Sequence, residues 1–295
     1  VKSTPRPAQS YSEALARIEA LRSKDTPEVN PVCGARLMSR GEKVEQTVLF
    51  LHGFTNCPQQ FHQLGLHLYE LGWNVLIPRI PHHGLADRLT TDLSNLTAEE
   101  LAAFTDEAVD IAQGLGERVV VAGLSGGAIA AAWAAQFRSD IARAVLIAPS
   151  FAFGFLHPRL IGAVKNLSLT LPNFFIWWNS DLKTATKPDY AYPRFSTRAL
   201  GEITRLGFAV RDAARRERPL AGSIVLVTNP NDRAVDNGTA LGLLALWRER
   251  GAGNIEHCTL DAALNIGHDI IDPTQEDQRV DDVYPMLIDL ITRRM

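Results

Sequence analysis

Several things are scarce in this chain of 295 residues, and each absence narrows what it can be. Cysteine is rare. Only Cys33, Cys57 and Cys258 occur, and none stands in a C-x-x-C pair, so neither a zinc site nor thioredoxin-type chemistry is expected. No G-x-x-x-x-G-K-[ST] segment is present, and no G-x-G-x-x-G spacing surrounds Ser125, which argues against nucleotide binding. Charge of one sign is not in excess. The formal net charge is −3 and no basic block stands out, so nucleic acid is not an expected partner.

A clean membrane span is also lacking. Val119 to Phe137 runs for 19 residues without a charge between Arg118 and Arg138, long enough to be read as a span. However, Gly123, Ser125, Gly126 and Gly127 divide it into a β-branched half and an alanine-rich half. A buried strand followed by a buried helix accounts for both halves, so no integral membrane segment is expected.

What is present is an alternation of elements. Tyr11 to Ser23 reads as an amphipathic helix with Ala14, Leu15, Ile18 and Leu21 on one face, and residues 24–34 as extended and proline-rich. Strands are expected over Val44–Leu51, Asn74–Ile80, Val119–Ala122, Ala144–Ala148, Ser223–Thr228 and Asn254–Leu260. Helices are expected over Phe61–Leu71, Thr97–Gly114, Ala128–Phe137, Leu241–Arg250 and Thr274–Arg293, with Thr97 and Glu100 spaced as a capping box. Strand–helix alternation of this kind predicts a mostly parallel sheet with helices on both faces, an α/β architecture. Residues 151–220 break the rhythm. They show no clear strand and hold Phe151, Phe153, Phe155, Phe174, Phe175, Trp177 and Trp178, so they read as a mostly helical cap over the strand ends. Part of this aromatic set is expected to form the cap's own core, and Phe151, Phe153, Trp177 and Trp178 are the candidates for an apolar pocket. The resulting division is 1–43 as an N-terminal segment, 44–150 with 221–295 as the core, and 151–220 as the cap.

Within this frame, Gly123-Leu124-Ser125-Gly126-Gly127 stands where a strand turns sharply into a helix. Such a turn lifts a serine hydroxyl clear of the sheet in a strained backbone conformation, and a side chain at 123 or 127 would clash with the close-passing helix.

The order of motifs resembles the α/β-hydrolase superfamily, in particular its carboxylesterase and monoacylglycerol-lipase-like branch. The residues that carry the likeness are His52-Gly53-Phe54, Pro81-His82-His83-Gly84, the Gly123–Gly127 turn, an aspartate after a late strand, and Gly267-His268. His82 departs from the usual glycine before His-Gly. The likeness covers roughly residues 44–290 and implies ester cleavage through an acyl-enzyme. It implies Ser125 as nucleophile, His268 as base, Asp232 as the acid that orients the base, and the backbone amides of Phe54 and Gly126 as oxyanion donors. Asp236 is the rival acid, its other role being a helix N-cap. Asp269 and Asp272 flank the histidine but, as sequence neighbours on a loop, are not expected to face its ring. Asp232 follows the strand Ser223–Thr228, and the preceding strand, where the acid could also stand, ends Ala148-Pro149-Ser150 with no acid to compete.

A small-molecule ester with a short or medium acyl chain, or an aromatic acid, is the expected substrate, with no cofactor and no metal. Thioesters, lactones or amides would use the same groups. A non-catalytic binding protein on the same fold is the more distant alternative. Metal hydrolysis through His82 and His83 is disfavoured, because adjacent histidines on a short loop rarely share one ion. Cys33 and Cys57 lie in loops that could meet, either as a disulfide or as two thiols, and a bridge would favour an extracytoplasmic over a cytoplasmic setting. Val1 to Gln9, polar and proline-containing, reads as a linker left after processing or truncation.

Overall fold

The computed structural model of the chain describes residues 2–293. Val1, at the head of the expected linker, and residues 294–295, at the end of the expected core segment, lie outside them. The strands are β1 (Arg36–Met38), β2 (Val44–Leu51), β3 (Asn74–Ile77), β4 (Gly116–Leu124), β5 (Arg143–Ile147), β6 (Phe175–Trp177), β7 (Arg194–Ser196), β8 (Ile224–Thr228) and β9 (Ile255–Thr259). Seven of them form one sheet in the order β1-β3-β2-β4-β5-β8-β9. Every pairing in it is parallel except that of β1 with β3. The helices are α1 (Tyr11–Arg22), α2 (His62–Glu70), α3 (Ala98–Leu115), α4 (Gly126–Phe137), α5 (Ile161–Thr170), α6 (Thr197–Ala214), α7 (Asn237–Glu249) and α8 (Val280–Thr292).

The two-residue period of the strands sorts the core into two layers. Leu49, Leu51, Val119, Val121, Leu146 and Leu226 join a cluster with residues of α3, α4, α6 and α7. Their sequence neighbours Val48, Phe50, Val120, Val145 and Val225 join the opposite cluster, with α2 and α8. Each such side chain contributes roughly 1.5–3 kcal/mol on burial, and the strands therefore read as unbroken apolar runs. Helix α4 is buried along nearly its whole length, and its alanines let it lie close to the sheet. No helix of the described residues is long and apolar enough to cross a membrane.

Some boundaries differ from the sequence reading for local reasons. Strand β1 was not expected. It is a three-residue antiparallel edge strand that ties residues before 43 to the main sheet. The expected linker is not loose either: Thr4 and Arg6 donate backbone N–H groups to the carboxylates of Asp106 and Asp110 on α3, at 2.7 and 2.8 Å. Helix α8 starts at Val280, not Thr274, because the Asp272 carboxylate takes both the N–H (2.9 Å) and the hydroxyl (2.7 Å) of Thr274 in a competing turn. The capping box is half formed. Thr97 accepts from the Glu100 N–H, but the Glu100 carboxylate pairs with His82 Nε2 at 3.0 Å.

Residues 151–220 are not strandless. Strands β6 and β7 form a separate antiparallel ribbon. Helix α6 places Ala199, Ile203, Leu206 and Val210 in the main core cluster alongside α4, and of residues 151–196 only Phe151 and Tyr192 are among that cluster's buried residues. The root of the 151–196 segment is fixed where Gly154 N–H bonds the Ala234 carbonyl (3.0 Å) and Phe153 bridges to Val235. Farther out, the Arg88 guanidinium donates to four carbonyls of one stretch: Thr184 (2.9 Å), Thr186 (2.7 Å), Pro188 (3.2 Å) and Ala191 (2.7 Å).

Candidate active site

Ser125 sits between β4 and α4 with φ 56° and ψ −114°, a region unfavourable for any residue with a side chain. What holds it there is the crowding around it. A Cβ at Gly123 would fall 2.4 Å from the Gly127 carbonyl oxygen, and one at Gly127 would fall 2.1 Å from that of Leu51. The Ser125 N–H bonds the Ile147 carbonyl at 2.9 Å, tying the turn to β5. A Cβ at Gly126 would lie 3.3 Å from the Phe54 amide nitrogen, so Phe54 packs against the residue that follows the serine. Among the described residues, neither the Phe54 nor the Gly126 amide meets a protein acceptor.

The imidazole of His268 is held from the other side. Asp232 Oδ2 accepts from His268 Nδ1 at 2.6 Å, while Asp232 Oδ1 takes the N–H groups of Ala234 (2.8 Å) and Val235 (3.2 Å). The Asp232 carboxylate is fully buried and the His268 side chain is 26% exposed. With Nδ1 donating, Nε2 is left as the ring's acceptor. Burial lowers the His268 pKa, but the hydrogen bond and charge of Asp232, with the charge of Asp269, outweigh it and the net shift is upward. Asn229 joins the two loops, donating to the carbonyls of Ile266 (3.0 Å) and Gly267 (2.7 Å). Asp236 does not face the ring; it caps α7, accepting from Thr239 N–H and hydroxyl at 2.6 Å each.

Ser125, Phe54 and His268 line one cavity of about 620 Å³ under the 151–196 segment. Of the aromatic residues named from the sequence as pocket candidates, Phe153, Trp177 and Trp178 line it. Phe151 does not. It is buried in the main core, its ring 3.2 Å from where a Cβ of Gly207 would stand. Residues the sequence reading passed over also contribute wall, notably Ile176, Tyr192 and Phe195. Tyr192 and Phe195 were concealed because they come from the ribbon and its approach, which periodicity did not reveal.

The remaining histidines have other partners. His52 is fully buried with its pKa well below the ordinary value, chiefly through burial and then the neighbouring His83. As a neutral ring it donates from Nδ1 to the Gly53 carbonyl and accepts from the Ile80 N–H on Nε2, at 3.0 Å each. His83, pushed down to about 4 mainly by burial, donates to the Pro81 carbonyl at 2.8 Å. His82 spans Asp92 and Glu100 at 2.9 and 3.0 Å. Cys33 and Cys57 form a disulfide, three residues after Phe54.

A metagenome-derived lipolytic enzyme of the pair LipS and LipT is 19% identical with a TM-score of 0.67, over 90% of this chain and all of that one. A monoacylglycerol lipase from Paleococcus ferrophilus is 16% identical with a TM-score of 0.64, over 87% of this chain and 97% of that one. A soluble variant of monoglyceride lipase from Saccharomyces cerevisiae is 14% identical with a TM-score of 0.65, over 87% and 89%. At such identities the likeness is one of fold. No curated protein matches the sequence. The profile described as the alpha/beta hydrolase family matches residues 48–283, most of the chain, and with the parallel sheet and the strand–serine–helix turn this makes the protein a member of the alpha/beta hydrolase family.

Proposed function

We propose that the protein hydrolyses carboxylic esters through an acyl-enzyme on Ser125, with His268 as general base, Asp232 orienting the base, and the Phe54 and Gly126 amides stabilising the oxyanion. The observation that carries this is the 2.6 Å His268–Asp232 hydrogen bond, with its imidazole lining the same cavity as a serine held in a strained turn. The bond leaves Nε2 unprotonated and able to take the serine proton. Two free amides, at Phe54 and Gly126, supply what a tetrahedral intermediate needs, each about 3–4 kcal/mol of transition-state stabilisation.

In this reading residues 151–196 are the cap. The cavity walls are mostly apolar and aromatic, and a volume near 620 Å³ suits a medium acyl chain or an aromatic acid. The lipase neighbours favour ester over amide chemistry. A thioester reading also has a neighbour, a thioesterase domain from the curacin biosynthetic pathway. Turnover of a panel of p-nitrophenyl acyl esters, matched thioesters and anilides separates these, with fluorophosphonate labelling of the wild type and of Ser125→Ala as the test of the nucleophile. Esters are expected to be turned over fastest, and label is expected only on the wild type. Label retained on Ser125→Ala, or no label on either, would end the proposal.

A further inference from the structure

The residue after His268 does something the machinery above does not use. Asp269 gathers five hydrogen bonds. Its Oδ1 accepts from the N–H groups of Ile271 and Asp272, at 3.2 Å each. Its Oδ2 accepts from Gln60 Nε2 at 2.7 Å, from Gln275 Nε2 at 3.2 Å and from Asn56 Nδ2 at 3.5 Å. Gln60 is 2% exposed, and its other amide atom, Oε1, accepts from the Gly53 N–H at 2.7 Å. Gly53 immediately precedes Phe54.

A directed chain therefore runs Gly53 N–H, Gln60 carboxamide, Asp269 carboxylate. The direction is forced. A backbone N–H can only donate, so Gln60 must present its oxygen to Gly53 and its NH₂ to position 269, where only an acceptor fits. One end of the chain fixes the peptide before the Phe54 amide. The other end fixes the main chain beside the His268 ring. Sequence separation between the two loops is about two hundred residues, 209 for the Gln60–Asp269 bond.

Resting on the proposed ester hydrolysis, we propose that Asp269 and Gln60 are positioning residues that hold the oxyanion-donor loop and the base loop in mutual register. Neither touches the reacting atoms. Their contribution is to keep the Phe54 N–H and the imidazole aligned on the same tetrahedral centre, and angstrom-scale misplacement of such groups slows catalysis steeply.

The chain's polarity supplies the test. Asp269→Asn alone sets NH₂ against NH₂, or loses the Ile271 and Asp272 contacts. Gln60→Glu alone sets two carboxylates face to face. Combined, Gln60→Glu and Asp269→Asn restore acceptor to Gly53 and donor to acceptor between positions 60 and 269, at the expense of the longer contacts from Gln275 (3.2 Å) and Asn56 (3.5 Å). Each single variant is expected to lower kcat at least tenfold on a p-nitrophenyl ester, with KM within threefold, and the double variant to recover to within about threefold of wild type. The charged groups around the imidazole are Asp232, Asp269 and Asp277 from the flanking loops, with Arg88 and Lys187 on the cavity rim. Removal of the Asp269 charge is therefore also expected to move the acid limb of the kcat/KM profile of Asp269→Asn to lower pH. Thermal unfolding of all four proteins separates positioning from folding: a single variant that melts early is judged by whether the double regains kcat. Wild-type kcat in both single variants, or a folded double variant no faster than the slower single, overturns the proposal. Failure of the wild type to label with fluorophosphonate takes down the parent reading and this one together, whereas normal labelling with no rescue takes down this one alone.

Discussion

The rim around Ser125 and the segment 151–196 line one cavity and are held by different means. On the rim, constraints are hard. Glycines 123 and 127 sit where a Cβ would stand 2.4 and 2.1 Å from carbonyl oxygens, and the Asp232 carboxylate has no exposure at all. In the segment, Phe155, Phe174, Ile176 and Trp178 are 42–73% exposed, and the ribbon is three residues long on each strand. Strict steric and hydrogen-bond requirements leave few residue choices. A surface held by aromatic contacts and main-chain carbonyls leaves many. Reaction chemistry is thus expected to be intolerant of change on the first side, and substrate preference to be tunable on the second.

Ser125→Ala tests the rim side most severely. Ester turnover is expected to fall by about 10⁴-fold or more with the melting temperature little changed; a mutant retaining a tenth of wild-type activity would erase the contrast. Asp232→Asn comes next, with kcat down roughly 10³–10⁴-fold, because an amide neither fixes the tautomer nor stabilises the imidazolium. Its pH behaviour carries a sign. The His268 pKa is raised above 6.5 in the folded protein, so activity needs a pH above that value, and the variant's residual activity should begin at lower pH. The same shift means that His268 adds stability below about 6.5, lost as pH climbs through its folded pKa. A pH-dependent melting curve that rises over that window contradicts the assignment.

Gly127→Ala sharpens the steric half of the comparison. A methyl 2.1 Å from the Leu51 oxygen is expected to cost roughly 3 kcal/mol or more, read as a lower denaturant midpoint. The disulfide closes a separation of 24 residues, and Cys33→Ser with Cys57→Ser should cost about 3 kcal/mol by loop-closure entropy, mimicked by reductant in the wild type. Equal stability with and without reductant would show that the bridge is not formed in solution. On the cap side the effects are smaller. Trp178→Ala, whose indole N–H bonds Thr55 Oγ1 at 2.9 Å and whose ring contacts Phe195, should shift preference among acyl lengths about tenfold while kcat on the best ester changes by less. Insensitivity of the acyl profile to Trp178 and Trp177 together would mean that the cap does not set specificity.

The same contrast explains what was readable beforehand. The turn at Ser125 was legible because only glycine fits its flanks, and the parallel strands because burial on two faces leaves runs such as Val119–Ala122. The ribbon was not, since Phe174 to Trp178 is apolar without alternation and pairs through only three residues per strand. Strand β1 was missed for a similar reason: its partner strand pairs Arg36 with Ile77, 41 residues further on, and its burial is only partial. Phe151 and Phe153 look alike in sequence, but one turns into the core and the other into the cavity, a difference set by the backbone after β5. In the sequence Asp269 is only a neighbour of His268 on a loop. Its bond to Gln60 is a tertiary fact with no local signature.

Arg88 reaches residues 184–191 through oxygens that every amino acid possesses. An anchor of that kind makes no bond to the side chains of the stretch it grips, although Thr186, Lys187, Pro188 and Ala191 all line the cavity. Thr186, Lys187 and Ala191 can be randomised together in a library with Pro188 kept, which makes this stretch the natural place to begin retargeting the protein toward new molecules.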